Sequence, residues 1–334
     1  PEDLRAIDAT FMDYNGKQYI VWAGWPEKNH TIDYRQDLYI AELAEKDPTK
    51  AKTTEGKRVM ISTPEYDWEK LGASQNEGPV VTYSPQGNPA LLYSGSHSGT
   101  DGYCIGYLTL EGSEKDPLHP DSWTKGEKPL METEDDVISP GHNSVVKSPD
   151  GKEDWIVYHA AKYSGAGWDR TLRLQKLEWD GNVPKVELSA WTEEVNLPSG
   201  DVSEKVKYEA EDAVKASSCF VETFEKGRDF SYASSEKAVG FQTDGTEVRF
   251  EFKAKREGRG VIAFRYSNAQ DAKGKVKTQA IVNGEEISLS VPYTHYEELF
   301  TLTQINVKFQ KGKNVVTFRG LESLYLDCIV ATYL

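Results

Sequence analysis

Apolar and polar residues alternate along most of the 334-residue chain, and in three stretches the same arrangement recurs. Each stretch has an alternating run, a polar turn that contains glycine, and a second alternating run. The three are IDATFMDYNGKQYIVWAG from Ile7, EGPVVTYSPQGNPALLYSG from Glu77 and HNSVVKSPDGKEDWIVYHA from His142. Alternation with a period of two predicts β-strands with one buried face. A repeat of short antiparallel strands is typical of the blades of a β-propeller.

The head of each repeat carries an ionisable residue: Asp8, Glu77 and His142. In a propeller the first strand of every blade lines the central channel, so equivalent heads are expected to converge on one cavity. Three blades cannot close a ring, because the outer edges of the first and last sheets would stay unpaired. We therefore expect further blades from an N-terminal segment or from a second polypeptide.

Helical periodicity is nearly absent, which predicts an all-β fold in two parts. Three blades of an incomplete propeller are predicted over 1–195, and a linker containing Pro198-Ser199-Gly200 over 196–206. Shorter, evenly spaced alternating runs over 207–334 predict a β-sandwich. Cys219 and Cys328 fall near the two ends of this sandwich, where either a disulfide or two buried free thiols would fit.

Composition excludes several classes of function. The net charge is −15 and the lysines and arginines are scattered, which argues against a nucleic-acid partner. No apolar run approaches the ~18–20 residues of a membrane-spanning helix. No C-x-x-C or H-E-x-x-H motif is present, and we expect no organic cofactor. The 8 tryptophans and 18 tyrosines suit stacking on sugars, but they suit the cores of β-sheets equally well.

Asp8 and Glu77 are a candidate pair for glycoside hydrolysis. This chemistry needs two carboxyl groups flanking the scissile bond, at ~6.5–9.5 Å for inversion or ~5–5.5 Å for retention. Carboxyl groups at the channel ends of adjacent blades could meet that requirement. Spacing alone is also compatible with two strand-end residues that only cap turns.

The first 195 residues resemble glycoside hydrolase family 43. The motifs that carry the resemblance are AIDATFMDYNGKQYIVWAGW, RVMISTPEYDWEK followed by NEGPVV, SPGHNSVVKSPDGKEDWIVYHA, and DRTLRLQKLEW. Members of the family are five-bladed propellers that remove arabinofuranose or xylose with inversion, and these motifs look most like those of exo-acting α-L-arabinofuranosidases. The resemblance implies an extracellular hydrolase of plant cell-wall arabinan or arabinoxylan. A β-xylosidase of the same family and a non-catalytic glycan-binding protein are the alternatives.

The resemblance also implies a role for each matching residue. Asp8 matches the aspartate that orients the substrate and modulates the acid, and Glu77 matches the general acid. His142 matches a histidine at the channel centre that holds an ion or water, and Arg170 matches an arginine that approaches the substrate. The family's general base is an aspartate near the start of the catalytic domain, and no residue here matches it. We therefore expect this chain alone to be inactive, and a further N-terminal segment to supply the base.

Three other residues of the first part have two interpretations each. Trp68, shortly before Glu77, could stack on a sugar at the rim of the pocket or pack against the sheets. Trp168 lies in a glycine-rich loop ahead of Arg170, which favours a substrate-binding role. His159 is expected to be a structural histidine at a strand end.

Within the second part, VKYEAEDA near Val206 and SLYLDCIVATYL at the C-terminus resemble carbohydrate-binding modules of the family 6 and 35 type. Those modules hold a structural calcium ion, and Glu209, Glu211 and Asp327 match its ligands. A solvated charged strand is the alternative. The resemblance also makes Asn268 a candidate sugar contact, and Tyr293 offers an aromatic surface for stacking.

Overall fold

The computed structural model describes residues 5–26, 35–44, 47–51, 58–112, 114–188, 195–225, 233–269 and 276–333. These residues form an all-β structure with two short 3-10 helices, Asp67–Glu69 and Pro120–Ser122, which confirms the predicted class. The chain divides into two compact units, Pro1–Asp201 and Val202–Leu334. In the part of the chain that is described, no helix is long and apolar enough to cross a membrane.

The described residues of the first unit form three antiparallel sheets, one for each predicted repeat. The first sheet has β1 (Ala6–Tyr14), β2 (Lys17–Gly24), β3 (Asp37–Ala44), β4 (Asp47–Ala51) and β5 (Val59–Ser62), with both β4 and β5 paired to β3. The second has β6 (Asn76–Tyr83), β7 (Pro89–Gly95), β8 (Cys104–Leu110) and β9 (Trp123–Lys125). The third has β10 (Ile138–Lys147), β11 (Asp154–Ala161), β12 (Arg170–Asp180) and β13 (Val183–Lys185).

Local sequence explains both the hairpins and the packing of these sheets. Asn15 and Gly16 have φ values of 51° and 73°, which suits the tight turn between β1 and β2. Strand β2 buries every second residue, Tyr19, Val21 and Ala23. One hydrophobic cluster joins the first and second sheets, and another joins the second and third. Neighbouring sheets are therefore packed against each other by their apolar faces.

The first strands of the three sheets lie together, because β6 contacts both β1 and β10. Each of them has a shift of register near its start: between Ile7 and Thr10, between Glu77 and Val80, and between Gly141 and Ser144. A residue with positive φ lies in each shift, at Asp8 (56°), Gly78 (56°) and His142 (45°). Gly78, not Glu77, is thus the counterpart of Asp8 and His142. The predicted equivalence of the three heads is wrong by one residue in the second repeat, since alternation alone does not reveal a β-bulge.

The second unit is a sandwich of two antiparallel sheets that share one hydrophobic core. The first has β16 (Cys219–Thr223), β17 (Lys237–Phe241), β24 (Leu324–Tyr333), β19 (Gly258–Asn268) and β22 (Thr301–Phe309), with β14 (Glu204–Glu209) paired to β24. The second has β15 (Val214–Lys215), β18 (Glu247–Ala254), β23 (Gly312–Arg319), β20 (Lys277–Val282) and β21 (Glu285–Ser290). The predicted linker over 196–206 crosses the division between the units, and its last three residues lie in β14. Cys219 and Cys328 are free thiols.

Candidate active site

The bulges of the three first strands bring the repeat heads into one site. The Asp8 carboxylate accepts a hydrogen bond from the backbone N–H of Gly78 at 3.2 Å. The imidazole of His142 covers Gly78, where a Cβ atom would lie only 3.2 Å from its Nδ1. Bulges beside functional sites commonly turn a side chain in a new direction. Here they place Asp8, Glu77 and His142 next to one another.

The Glu77 carboxyl group meets neutral hydrogen-bond donors from two other strands of the unit. The Tyr103 hydroxyl donates to Oε1 at 2.6 Å, and the side-chain amide of Gln36 lies 3.4 Å from Oε2. Gln36 is held by its backbone, which donates to the Ser74 carbonyl at 3.1 Å and accepts from Asn76 at 2.9 Å. The orientation of Glu77 is therefore fixed from both sides.

Tyr103 is fully buried and tightly packed. Its ring lies on Gly141, where a Cβ atom would approach it to 1.9 Å, so only glycine leaves room for it. The Arg170 guanidinium lies over the Tyr103 ring, 5.3 Å from the centre of that ring. Burial, and then the neighbouring Glu77 carboxyl, raise the pKa of Tyr103 well above its usual value. The phenol therefore remains a proton donor over the whole working pH range.

Arg170, at the start of β12, is held by acceptors on three sides. It donates to the backbone carbonyl of Ser98, to the carbonyl of Ser139 at 2.7 Å and its hydroxyl at 2.6 Å, and to the Gly167 carbonyl at 3.1 Å. It also donates to Nδ1 of His159 at 2.9 Å. This many bonds to one guanidinium fix its plane beside the ring of Tyr103.

His159 contacts Arg170, Tyr103 and His142. The sequence did not indicate that this histidine would lie within the site. Its ring stacks on Tyr103 and on His142, each with ring centres 6.1 Å apart. Burial lowers the pKa of His159 from 6.5 to about 4, and the charges of Arg170 and His142 add to the effect. The imidazole is therefore neutral near pH 7, with Nδ1 as the acceptor and the proton on Nε2.

Trp168 is 70% exposed and lies in a loop that is bound to the Asp101 carboxylate. The Asp101 carboxylate accepts from the Ser164 hydroxyl at 2.6 Å and from the Gly165 N–H at 3.0 Å. The indole Nε1 lies beside Gly99, 3.5 Å from where a Cβ atom would be. This presents an open aromatic face two residues from Arg170, as a substrate-binding residue requires, and that role stays a prediction.

Trp68 occupies a different environment. Its indole stacks between Tyr66 and Tyr93, with ring centres 6.0 Å and 6.3 Å away, and donates to the Glu127 carbonyl at 3.0 Å. The half-buried ring packs against the cluster that joins the first and second sheets. These contacts correspond to the packing interpretation of the sequence, and contact with substrate is untested.

The two residues that hold Glu77 were not among the candidates from the sequence, although a signal for them exists. In the register of the sheets, Asp37 and Cys104 occupy the same position, opposite Gly24 and Gly95. Gln36 and Tyr103 are the residues immediately before them. The position that precedes the third strand of a repeat therefore reaches Glu77 in both the first and second sheets.

A second group of carboxylates lies in the second unit. The Ser234 hydroxyl donates to Glu209 Oε2 at 3.1 Å or Asp327 Oδ1 at 3.1 Å, and the Ser234 N–H donates to the same Asp327 oxygen at 2.9 Å. Glu211 accepts from the Ser235 hydroxyl at 2.6 Å, while its Oε2 is buried without a partner among the described residues. Glu209 and Asp327 thus meet at Ser234, with carboxylate oxygens within 4.8 Å of each other, whereas Glu211 is bound to the adjacent Ser235 and lies outside this group. An oxygen-rich donor set with a buried carboxylate oxygen left over fits a hard cation such as calcium.

Two basic side chains already contact this group. Arg265 pairs with Asp327 Oδ2, and Lys207 pairs with Glu209 at 2.9 Å. Arg265 occupies Asp327 Oδ2 and Lys207 occupies Glu209 Oε1, so Asp327 Oδ1 and Glu209 Oε2 are the oxygens of this pair that are left to hold an ion.

The two predicted sugar contacts of the second unit differ in exposure. Asn268 is 2% exposed, and its amide donates to the Val291 carbonyl at 2.7 Å, so it ties the end of β19 to the loop that follows β21. Tyr293 is half-buried and packs against His295, with ring centres 4.7 Å apart. Only Tyr293 offers an aromatic surface, and a sugar contact by either residue stays a prediction.

Comparison with known proteins agrees with the resemblance in the sequence. The extracellular exo-α-(1→5)-L-arabinofuranosidase of Streptomyces avermitilis is 35% identical over 190 residues, which are 54% of this chain and 37% of that protein. The chain thus spans little more than a third of that relative's length. The crystal structure of a thermostable family-43 glycoside hydrolase is similar with a TM-score of 0.51 and 28% identity, over 60% of this chain and 63% of that one.

One solved structure is similar over both units. The exo-β-1,3-galactanase of Phanerochaete chrysosporium matches 99% of this chain and 70% of its own, with a TM-score of 0.55 and 14% identity, which shows the fold alone. The family model for glycosyl hydrolases family 43 matches residues 2–184. Since this match covers more than half of the chain and includes every residue of the site around Glu77, the chain belongs to glycosyl hydrolases family 43.

Proposed function

We propose that the chain carries the general acid of an inverting glycoside hydrolase that releases terminal α-L-arabinofuranose from arabinan or arabinoxylan. The observation that carries the proposal is the Glu77 carboxyl group, bonded to Tyr103 at 2.6 Å and placed beside Asp8 and His142. The 35% identity to a protein named as an exo-arabinofuranosidase supports the choice of sugar. We extend the proposal to three blades of a five-bladed propeller and, because that relative is named extracellular, to secretion.

The proposed reaction uses these residues as follows. Water attacks C1 of the arabinofuranose while the bond from C1 to the leaving oxygen breaks, and Glu77 gives its proton to that oxygen. The leaving sugar departs as an alcohol, and Glu77 remains as a carboxylate until solvent reprotonates it. Asp8 orients the sugar, and Trp168 stacks on the part of the substrate that extends out of the site. The five N–H groups of Arg170 all donate within the unit, so Arg170 would approach the sugar only with the face of its guanidinium.

The general base that inversion requires stays a prediction. It takes one proton from the attacking water, and we expect it on a further N-terminal segment or on a partner chain. Efficient hydrolysis of an aryl arabinofuranoside by this chain alone would contradict that expectation.

For the second unit we propose a carbohydrate-binding module. Tyr293 would supply the stacking surface, and Glu209, Glu211 and Asp327 would hold a structural calcium ion. Such an ion would link β14, β24 and the serines between them, and so hold the sheet together at this end.

The experiment that tests the proposed reaction is Glu77→Gln in the full-length enzyme. General-acid assistance contributes typically ~10²–10⁴-fold, so kcat on an arabinan oligosaccharide should fall by about that factor. Calorimetric binding of arabinose should survive, because the amide keeps the shape of the side chain. Glu111→Gln removes an exposed carboxylate of the same unit and is the matched control. Turnover that is unchanged in Glu77→Gln removes Glu77 from the mechanism, and a loss confined to aryl xylosides would point to xylose as the sugar.

A further inference from the structure

The two oxygens of Glu77 are not equivalent. Oε1 accepts the only proton of the Tyr103 hydroxyl at 2.6 Å. To accept a proton from Glu77, the Tyr103 hydroxyl would have to turn its own proton towards another acceptor. The other side chain bonded to it, Ser94, lowers the pKa of Tyr103, as a donor to the phenol oxygen does, and the Ser94 oxygen accepts the His142 N–H at 2.7 Å. When Glu77 is in its acid form, Oε1 is therefore the carbonyl oxygen and the proton lies on Oε2.

The side chain beside Oε2 can serve both forms of the acid. Gln36 is 5% exposed, its Nε2 lies 3.4 Å from Oε2, and its Oε1 is buried without a partner among the described residues. An amide presents a donor and an acceptor at nearly the same place. Nε2 can donate to the carboxylate, and a half-turn of the amide offers Oε1 to the proton on Oε2.

Both neighbours are held in position by the fold. Tyr103 has little room to move, because its ring packs on Gly141, stacks on His159 and lies 5.3 Å from the guanidinium of Arg170. Gln36 is paired through its backbone to the segment that leads into β6. Both occupy the position before the third strand of their repeat, so the site around Glu77 is built by two repeats in the same way.

We propose that Tyr103 and Gln36 are positioning residues that make Oε2 the proton-donating oxygen of Glu77. The proposal rests on the proposed function of Glu77 as the general acid. Tyr103 acts through Glu77 and fixes which oxygen carries the proton, and Gln36 stabilises that oxygen before and after the transfer. A carboxyl group held in this way needs no rotation before it meets the leaving oxygen.

The test compares a poor and a good leaving group in the full-length enzyme. In Tyr103→Phe, kcat on an arabinan oligosaccharide should fall about tenfold, the size expected for one hydrogen bond to a charged group. The value of kcat on 2,4-dinitrophenyl α-L-arabinofuranoside should change less than about twofold, because that leaving group departs without a proton. KM should be unchanged for both. Gln36→Met should show the same selectivity with a smaller loss.

The matched control is Tyr14→Phe. Its hydroxyl, in a side chain that is 7% exposed, donates to the Gly112 carbonyl at 2.6 Å, so the variant removes an equally short bond away from Glu77. The Tyr14→Phe variant should leave kcat unchanged on both substrates. An equal loss on both substrates in Tyr103→Phe would show a merely structural role and overturn the proposal, as would no loss on either. If Glu77→Gln also leaves turnover intact, the proposed function itself fails.

A second measurement requires no turnover. The ring carbon that bears the Tyr103 hydroxyl can be followed by NMR in protein labelled at tyrosine Cζ and assigned by its loss in Tyr103→Phe. In this chain its resonance should shift in Glu77→Gln and stay in place in Glu111→Gln. A Tyr103 resonance that ignores Glu77→Gln would contradict the hydrogen bond on which the proposal depends.

Discussion

The carboxylates of the two units are surrounded in opposite ways. Glu77 meets two neutral donors, and none of the ion pairs among the described residues includes it. Asp327 instead pairs directly with the guanidinium of Arg265, and Glu209 pairs with Lys207. An ion pair in direct contact compensates the charge of a buried carboxylate and joins the elements that carry the two charges. The second arrangement therefore suits a group that holds strands together, whereas the first leaves Glu77 without a fixed counter-charge, as the proposed proton donor requires.

Breaking the ion pair of the second unit should have the largest effect on stability. Asp327 is fully buried, so Arg265→Leu leaves a charge without its partner, which costs about 3–5 kcal/mol. All 8 tryptophans precede residue 202, so their fluorescence follows the first unit alone. In urea with a chelator present, circular dichroism should show an early transition of the second unit while tryptophan fluorescence is unchanged.

The control for this prediction is Arg249→Leu. Arg249 pairs with Glu251 on the surface of the same unit, where both side chains are at least 40% exposed. An exposed pair contributes about 0–1 kcal/mol. Equal destabilisation by the two variants would contradict the contrast between a buried structural carboxylate and a surface one.

Calcium binding should have the next largest effect on stability, again in the second unit. If Glu209 and Asp327 bind the ion, calcium at a hundred times its Kd should stabilise the unit by about 2.7 kcal/mol. A chelator should reverse this, and Glu209→Gln should weaken the response while the exposed control Glu222→Gln does not. Identical unfolding curves with calcium and with chelator would remove the ion from the account.

The smallest predicted effect on stability comes from the neutral side chain of His159 in the first unit. The pKa of His159 is about 4 in the folded protein, below its ordinary value of 6.5. Between these values the unfolded chain binds more protons, so the contribution of neutral His159 is complete above about pH 6.5 and declines as the pH falls towards about 4. The free energy of unfolding of the first unit can be measured in urea by tryptophan fluorescence at several pH values. It should therefore fall more steeply with decreasing pH in the wild type than in His159→Gln. Parallel pH profiles would contradict the neutral state of this histidine.

Alternation in the sequence was enough to predict the sheets and to select the residues that begin them, but not their registers. At the register shifts described above, the residue with positive φ is Asp8 in β1 and His142 in β10, whereas in β6 it is Gly78 and the acid stands one place earlier. A bulge costs one residue of register and leaves the period of the pattern on either side intact. It becomes visible only once the paired strands are known.

Tyr103 and Gln36 were missed for a related reason. Each reaches Glu77 across a gap of many residues that closes when β6 packs between its neighbours, and neither residue type is unusual at a strand start. Glu209 and Glu211 could be selected from the sequence because they alternate within one short run and match a known motif, and their role as calcium ligands stays a prediction. Arg265 and Ser234, which decide the charge and hydrogen bonding around Asp327, again come from distant parts of the chain.

The central claim, that Glu77 is the proton donor, is tested most directly by the leaving-group dependence of Glu77→Gln in the full-length enzyme. The measurement is the ratio of kcat on 2,4-dinitrophenyl α-L-arabinofuranoside to kcat on an arabinan oligosaccharide. We predict that the substitution raises this ratio by about 10²-fold or more, because only the oligosaccharide needs the proton. A ratio equal to that of the wild type would contradict the assignment of Glu77 as the general acid.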